Sequence, residues 1–154
     1  MNLYLVQHAQ AKPKDEDPAR PLTGAGRAAA QAVAAFAARL GLEVNQIRHS
    51  GKTRARQTAE ALAQALSPAG GVVAVSGLAP RDDVRPVAEA LAAEDRPVML
   101  VGHLPFMSRL AALLLAGDPD RGVVQFRQGG IVCLAREEGR WLLAWALTPE
   151  MAAS

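Results

Sequence analysis

Apolar residues along this chain alternate between two textures. Short runs read as strands: Leu3 to Gln7, Val44 to His49, Val72 to Val75 and the fully apolar Pro97 to Val101. Longer stretches carry apolar side chains at helical spacing. The first follows Thr23 as cap to about Leu40, with Val33, Phe36, Ala37 and Leu40 on one face and Gly41 as the stop. The second is Thr53 to Leu66, with Ala55, Thr58, Ala59, Leu62 and Leu66 inward, ending before Ser67-Pro68-Ala69-Gly70-Gly71. Asp83 is placed to cap a third from Val84 to about Ala93, and Pro105 to open a fourth to Ala116.

From Val123 onward the texture becomes extended. Val123 to Phe126, Gly130 to Arg136 and Arg140 to Ala146 read as strands, with Glu137-Glu138-Gly139 as a hairpin turn. Trp141 and Trp145, four apart on a strand, are expected on one face. Strands alternating with helices and then a terminal hairpin predict an α/β domain, a three-layer α/β/α sandwich whose mostly parallel sheet has an antiparallel C-terminal edge. At 154 residues and 50% hydrophobic content, one domain spanning 1–154 is expected, without a cap domain.

Composition narrows the function classes. The 17 Lys and Arg residues are scattered, the net charge is only +2, and aromatics make up 4% of the chain, so a nucleic-acid partner is not expected. Apolar runs such as Leu110 to Ala116 are far below spanning length, and Leu3 to Val6 is too short for a secretory signal. A cytoplasmic location without a membrane partner is therefore expected. The single Cys133, in an apolar run, reads as a buried, inert thiol.

Three segments carry candidate chemistry, each at the carboxyl end of a strand, where open α/β sheets bind ligands. In Leu5-Val6-Gln7-His8-Ala9 a histidine follows a buried strand, which alone suits a hydrogen-bonded structural histidine as well as a catalyst. In Val101-Gly102-His103-Leu104-Pro105 a second histidine lies between a strand and a helix start, where unpaired N–H groups favour an anion. The third, Ser50 to Thr58, is a basic turn running into a helix, with Lys52, Arg54 and Arg56 opposing the helix dipole. Arg56 has a ready partner at Glu60, and His49 is given no catalytic part.

These segments, in this order, resemble the histidine phosphatase superfamily, whose first strand ends in Arg-His-Gly and a later strand in Gly-His. Arg20-Pro21-Leu22-Thr23-Gly24-Ala25-Gly26 is similar to its Leu-Thr-x-x-Gly element, and the short, capless chain is most similar to the SixA-type phosphohistidine phosphatases. The resemblance implies a phosphoglycerate mutase-like fold and a metal-independent, cofactor-free phosphatase in signal transduction. It makes His8 the covalent nucleophile, Arg54 and Arg20 phosphate ligands, and His103 a ligand that stabilises charge on the transferring group. The implied partner is a phosphorylated protein, a phosphohistidine domain, or else a small phosphate ester.

Two features set this chain apart. It has Gln7-His8-Ala9 where the family has Arg-His-Gly, so Gln7 offers a neutral donor to phosphate, a deficit of ~1–2 kcal/mol against a charged one. Lys52, two residues before Arg54, is the candidate to restore that charge. For a general acid only Asp82 and Asp83 follow a strand in the right region, and Asp83 also suits a helix cap. A phosphohistidine phosphatase is the leading expectation; a small-molecule phosphomonoesterase and a non-catalytic phosphate-binding pseudophosphatase are the alternatives.

Overall fold

In the computed structural model, which describes residues 1–153, β1 (Asn2–Gln7) is the spine of a six-stranded sheet. Its side chains alternate as the pleat demands: Leu3 and Leu5 enter one apolar cluster, Tyr4 and Val6 the other. Both faces are therefore buried, which explains why β1 reads as an unbroken apolar run. β2 (Gln46–His49), β3 (Val72–Ala74) and β4 (Val98–Gly102) run parallel to it, in the order β3-β2-β4-β1. The antiparallel β5 (Ile131–Glu137) and β6 (Arg140–Leu147) complete the other edge.

Helices cover both faces. α1 (Gly24–Arg39), α2 (Thr53–Leu66) and the short α5 (Pro149–Ala153) pack on the Tyr4 and Val6 side. α3 (Arg85–Ala92) and α4 (Phe106–Ala116) pack on the Leu3 and Leu5 side. This is the three-layer α/β/α arrangement with a mostly parallel sheet and an antiparallel C-terminal edge. The Thr23 side chain accepts the Gly26 N–H as the α1 cap, and Gly41 takes the left-handed conformation beyond its end, with φ 72°. Glu138 and Gly139 turn the β5–β6 hairpin with φ 52° and 75°. No helix among the described residues is long and apolar enough to cross a membrane.

The structure departs from the pattern-based expectations in three places. Val123 to Phe126 forms no strand, because β4 and β5 already occupy both edges of β1. The segment instead tucks Phe126 into the core and crosses the end of β1, where the Gly129 N–H donates to the Gln7 carbonyl at 2.9 Å. Trp141 and Trp145 lie on opposite faces. Cys133 pairs with Trp145 but Leu134 with Leu143, so Ala144 is an extra residue that reverses the alternation. Trp145 then meets Tyr4, and Trp141 lies under the Arg136 guanidinium. The third departure is α5, which the sequence reading missed although Thr148-Pro149-Glu150 is a start signal; the Thr148 hydroxyl accepts the Met151 N–H.

Candidate active site

The ends of β2, β4 and β1 lie side by side, with Gln7 opposite Gly102 and His49 opposite Val101. The next residue in each chain segment is therefore carried to one place: His8 after β1, His103 after β4, Ser50 after β2. The His8 N–H donates to the Gly102 carbonyl at 2.9 Å, tying the two histidine-bearing ends together. The two imidazole rings lie 5.2 Å apart, inclined at 56°. Both are buried, His8 at 7% exposure and His103 at 2%.

One hydrogen bond sets the tautomer of His8. Its Nδ1 lies 2.7 Å from the Ala9 carbonyl, which only accepts, so Nδ1 carries the proton and donates. Nε2 is left with its lone pair. Burial pulls the pKa of His8 down to about 4; the bond to Ala9 works against this, and the charges of Arg54 and Arg20 add to it. His103 is pulled down to about 3 by burial, then by Arg54, His8, Lys52 and Arg20. Both rings are neutral at pH 7.

His103 is held from β2. Its Nε2 lies 2.6 Å from the Ser50 hydroxyl, which in turn accepts the Lys52 N–H at 3.3 Å. The preceding turn is ordered by His49, whose Nδ1 accepts the Gly51 N–H. α2 then begins with no side-chain cap and no acidic residue in its first turn, leaving positive dipole and basic side chains together. Thr58 docks this helix on the nucleophile strand: its hydroxyl accepts the Ala9 N–H at 3.0 Å and donates to the Arg54 carbonyl at 2.8 Å.

Arg20 comes from the loop after β1. That loop closes through the bridge between Ala11 and Leu22, and the Leu22 N–H donates to the Gln57 amide on α2. Arg20 donates from Nε to the Lys12 carbonyl and sits in the left-handed region at φ 49°, uncommon for an arginine. Gly26 allows α1 to approach the same loop, since a Cβ there would collide with the Gln10 carbonyl. Arg54 is half-buried, and its guanidinium is pushed below its ordinary value by burial and then by Arg20. Two buried polar atoms here lack any hydrogen-bond partner: Arg54 Nε and His103 Nδ1.

The remaining sequence candidates lie at varying distance from this centre. Gln7 is half-buried, lies in register with Gly102 and Gln128, and accepts the Gly129 N–H at its carbonyl. Lys52 is exposed and its charge acts on His103. Asp82 accepts the Ala79 N–H at 2.9 Å and Asp83 the Arg85 N–H at 3.0 Å, and neither is among the charges acting on the histidines. Arg56 pairs with Glu60 at 2.9 Å. Cys133 is buried and its thiol is pushed up to about 11 by burial. Ser50 and Thr58 bound the basic segment marked in the sequence, and Thr58 was placed on the inner face of α2, but neither was given a role of its own. Among the described residues, no three of His, Cys, Asp or Glu gather as a metal-holding group.

Residues 3–79 match the family model of the histidine phosphatase superfamily, branch 1. The chain belongs to the histidine phosphatase superfamily. An uncharacterised protein from Picosynechococcus is 36% identical over 142 residues, covering 87% of this chain and 84% of that one. The protein histidine phosphatase SixA, solved with tungstate, superposes with a TM-score of 0.86 at 25% identity, covering 97% of each chain. A SixA protein from Agrobacterium tumefaciens superposes with a TM-score of 0.77 at 29% identity, covering 96% and 97%. The superfamily assignment is thus of the SixA type, and a phosphatase hydrolase is the activity class that family and neighbours indicate.

Proposed function

We propose that this protein is a metal-independent phosphohistidine phosphatase with His8 as covalent nucleophile. The observation that carries the reading is the pair of buried, partnerless polar atoms, Arg54 Nε and His103 Nδ1, beside a histidine whose Nε2 is kept unprotonated. A phosphoryl group between them supplies a partner for each, and the SixA structure solved with tungstate, a tetrahedral oxyanion, supports this reading. Arg20, Arg54 and His103 stabilise the charge on the equatorial oxygens, with the Gln7 amide and the Lys52 charge in support.

His8 Nε2 attacks phosphorus in line while the P–N bond to the substrate imidazole breaks. The electron pair leaves on that nitrogen, which takes a proton from water. A second water attacks the phosphorus of phospho-His8 and gives its proton to the hydroxide left by the first, inorganic phosphate departs, and the electron pair returns to Nε2. The charges acting on the two histidines are all positive, and Asp82 and Asp83 are engaged with backbone N–H groups. Such a site is poorly equipped to protonate an alkoxide and well suited to imidazole, which leaves with less help. This favours a phosphohistidine protein, and with it a place in signal transduction, over a phosphate monoester.

The test is to incubate the protein with a phosphohistidine protein labelled on phosphorus, quench in alkali and locate the label. Label on His8, absent from the His8→Ala variant, is expected, with faster release than from an aryl phosphate. Oxyanion binding with neither label nor phosphate release would instead make the chain a pseudophosphatase.

A further inference from the structure

A cavity of about 470 Å³ opens beside the histidine site. Gln7 and Leu104, which line it, are the chain neighbours of His8 and His103, so it opens at the same carboxyl end of the sheet as the two histidines. Its other walls are Gln10 from the loop after β1 and Phe126, Arg127 and Gln128 from the segment that crosses the end of β1. That segment is fixed in place: Gln128 bridges Gln7, the Gly129 N–H donates to the Gln7 carbonyl, and Phe126 is buried. Arg127 is therefore held at the rim, exposed, and takes no part in the ion pairs of the described residues.

Arg127 is not one of the charges that act on His8 or His103, so it does not stand in for the arginine that Gln7 replaces. It serves the part of the substrate beyond phosphorus. Gln10, Leu104, Arg127 and Gln128 are all exposed, which makes the cavity an open groove, unlike the enclosed pocket that surrounds a small metabolite. The Gln128 amide and the amide nitrogen of Gln10, whose oxygen accepts the Thr23 hydroxyl at 2.8 Å, suit peptide groups, Leu104 and Phe126 give an apolar wall, and Arg127 selects for negative charge. Glu150, which also lines the groove, has a partner of its own.

We propose that this groove seats the polypeptide segment that carries the phosphohistidine, and that Arg127 selects segments with an acidic residue near it. The proposal rests on the phosphohistidine reading above. It is tested with two phosphohistidine peptides that differ only in flanking glutamates or flanking lysines, measured for hydrolysis and for binding, with phosphoramidate as a substrate that has no flanks. The parent should prefer the glutamate peptide in KM and Kd by about three- to fivefold, the scale of one exposed ion pair. Arg127→Glu should reverse that preference, and added salt should flatten it.

An unchanged preference in Arg127→Glu would overturn the proposal, as would equal binding of both peptides by the parent. Failure of the phosphohistidine reading looks different. Then neither peptide nor phosphoramidate turns over, while the reversal of peptide binding by Arg127→Glu still decides whether the groove is a peptide site.

Discussion

Ser50 and His103, 53 residues apart, share a 2.6 Å hydrogen bond between Oγ and Nε2. The Ser50 oxygen also accepts the Lys52 N–H and keeps a second lone pair, so the direction of the bond to Nε2 follows the tautomer of His103. On the proposed reading Ser50 donates, and the His103 proton is on Nδ1, the buried atom without a partner, ready for a phosphoryl oxygen. Ser50 is thus a positioning residue. Ser50→Ala should lower kcat about tenfold, the worth of one neutral hydrogen bond, with a smaller change in KM. Ser50→Thr, which keeps the hydroxyl, should recover most of the loss in steady-state kinetics.

Arg54 separates activity from stability. Its guanidinium faces the like charge of Arg20 and has a buried Nε with no acceptor, so the unliganded fold gains little from it. Arg54→Met should cost about a hundredfold or more in kcat/KM, the scale of a lost transition-state donor, yet leave the Tm unchanged or raised. Orthophosphate at a hundredfold excess over its Kd should stabilise the parent by about 2.7 kcal/mol. Thermal melts with and without orthophosphate should show this stabilisation in the parent and its loss in Arg54→Met.

The histidine environment sets two pH dependences. His8 is nucleophilic only when neutral, so the acid limb of the rate should fall near pH 4, well below the ordinary histidine value of 6.5. For stability, the unfolded chain takes up protons on His8 and His103 as the pH drops below 6.5, while the folded protein resists until about 4 and about 3. The stabilisation is fully present above pH 6.5 and lost on acidification through that window. Urea unfolding at pH 7 and pH 4.5 should show the loss, and His8→Asn should reduce the slope between them.

Both histidines were legible in the sequence because a polar residue at the end of a buried strand is a local feature, and the family resemblance brought Arg20 and Arg54 to them. The links between elements were not. Thr58 to Ala9 and Ser50 to His103 span 49 and 53 residues, and no local pattern encodes which strand ends are neighbours. The twofold alternation that placed Trp141 and Trp145 together failed at Ala144, since a bulge has no fixed sequence mark. Val123 to Phe126 had strand character, but β1, whose end it crosses, is already paired on both sides.

Gln7 remains the point at which this chain departs most from its family, and replacing it tests whether a charge is missing. Gln7→Arg should raise kcat/KM about tenfold at low salt, matching ~1–1.5 kcal/mol from a charge-assisted bond to phosphate, and less at high salt. The added cation should also move the acid limb further down, because it disfavours protonated His8. Lys52, beyond the end of β2, already acts on His103 through its charge. If it compensates for Gln7, Lys52→Ala should cost more in the parent than in the Gln7→Arg background. A double-mutant cycle on kcat/KM measures that difference, and equal costs in the two backgrounds would mean that the two positions act independently.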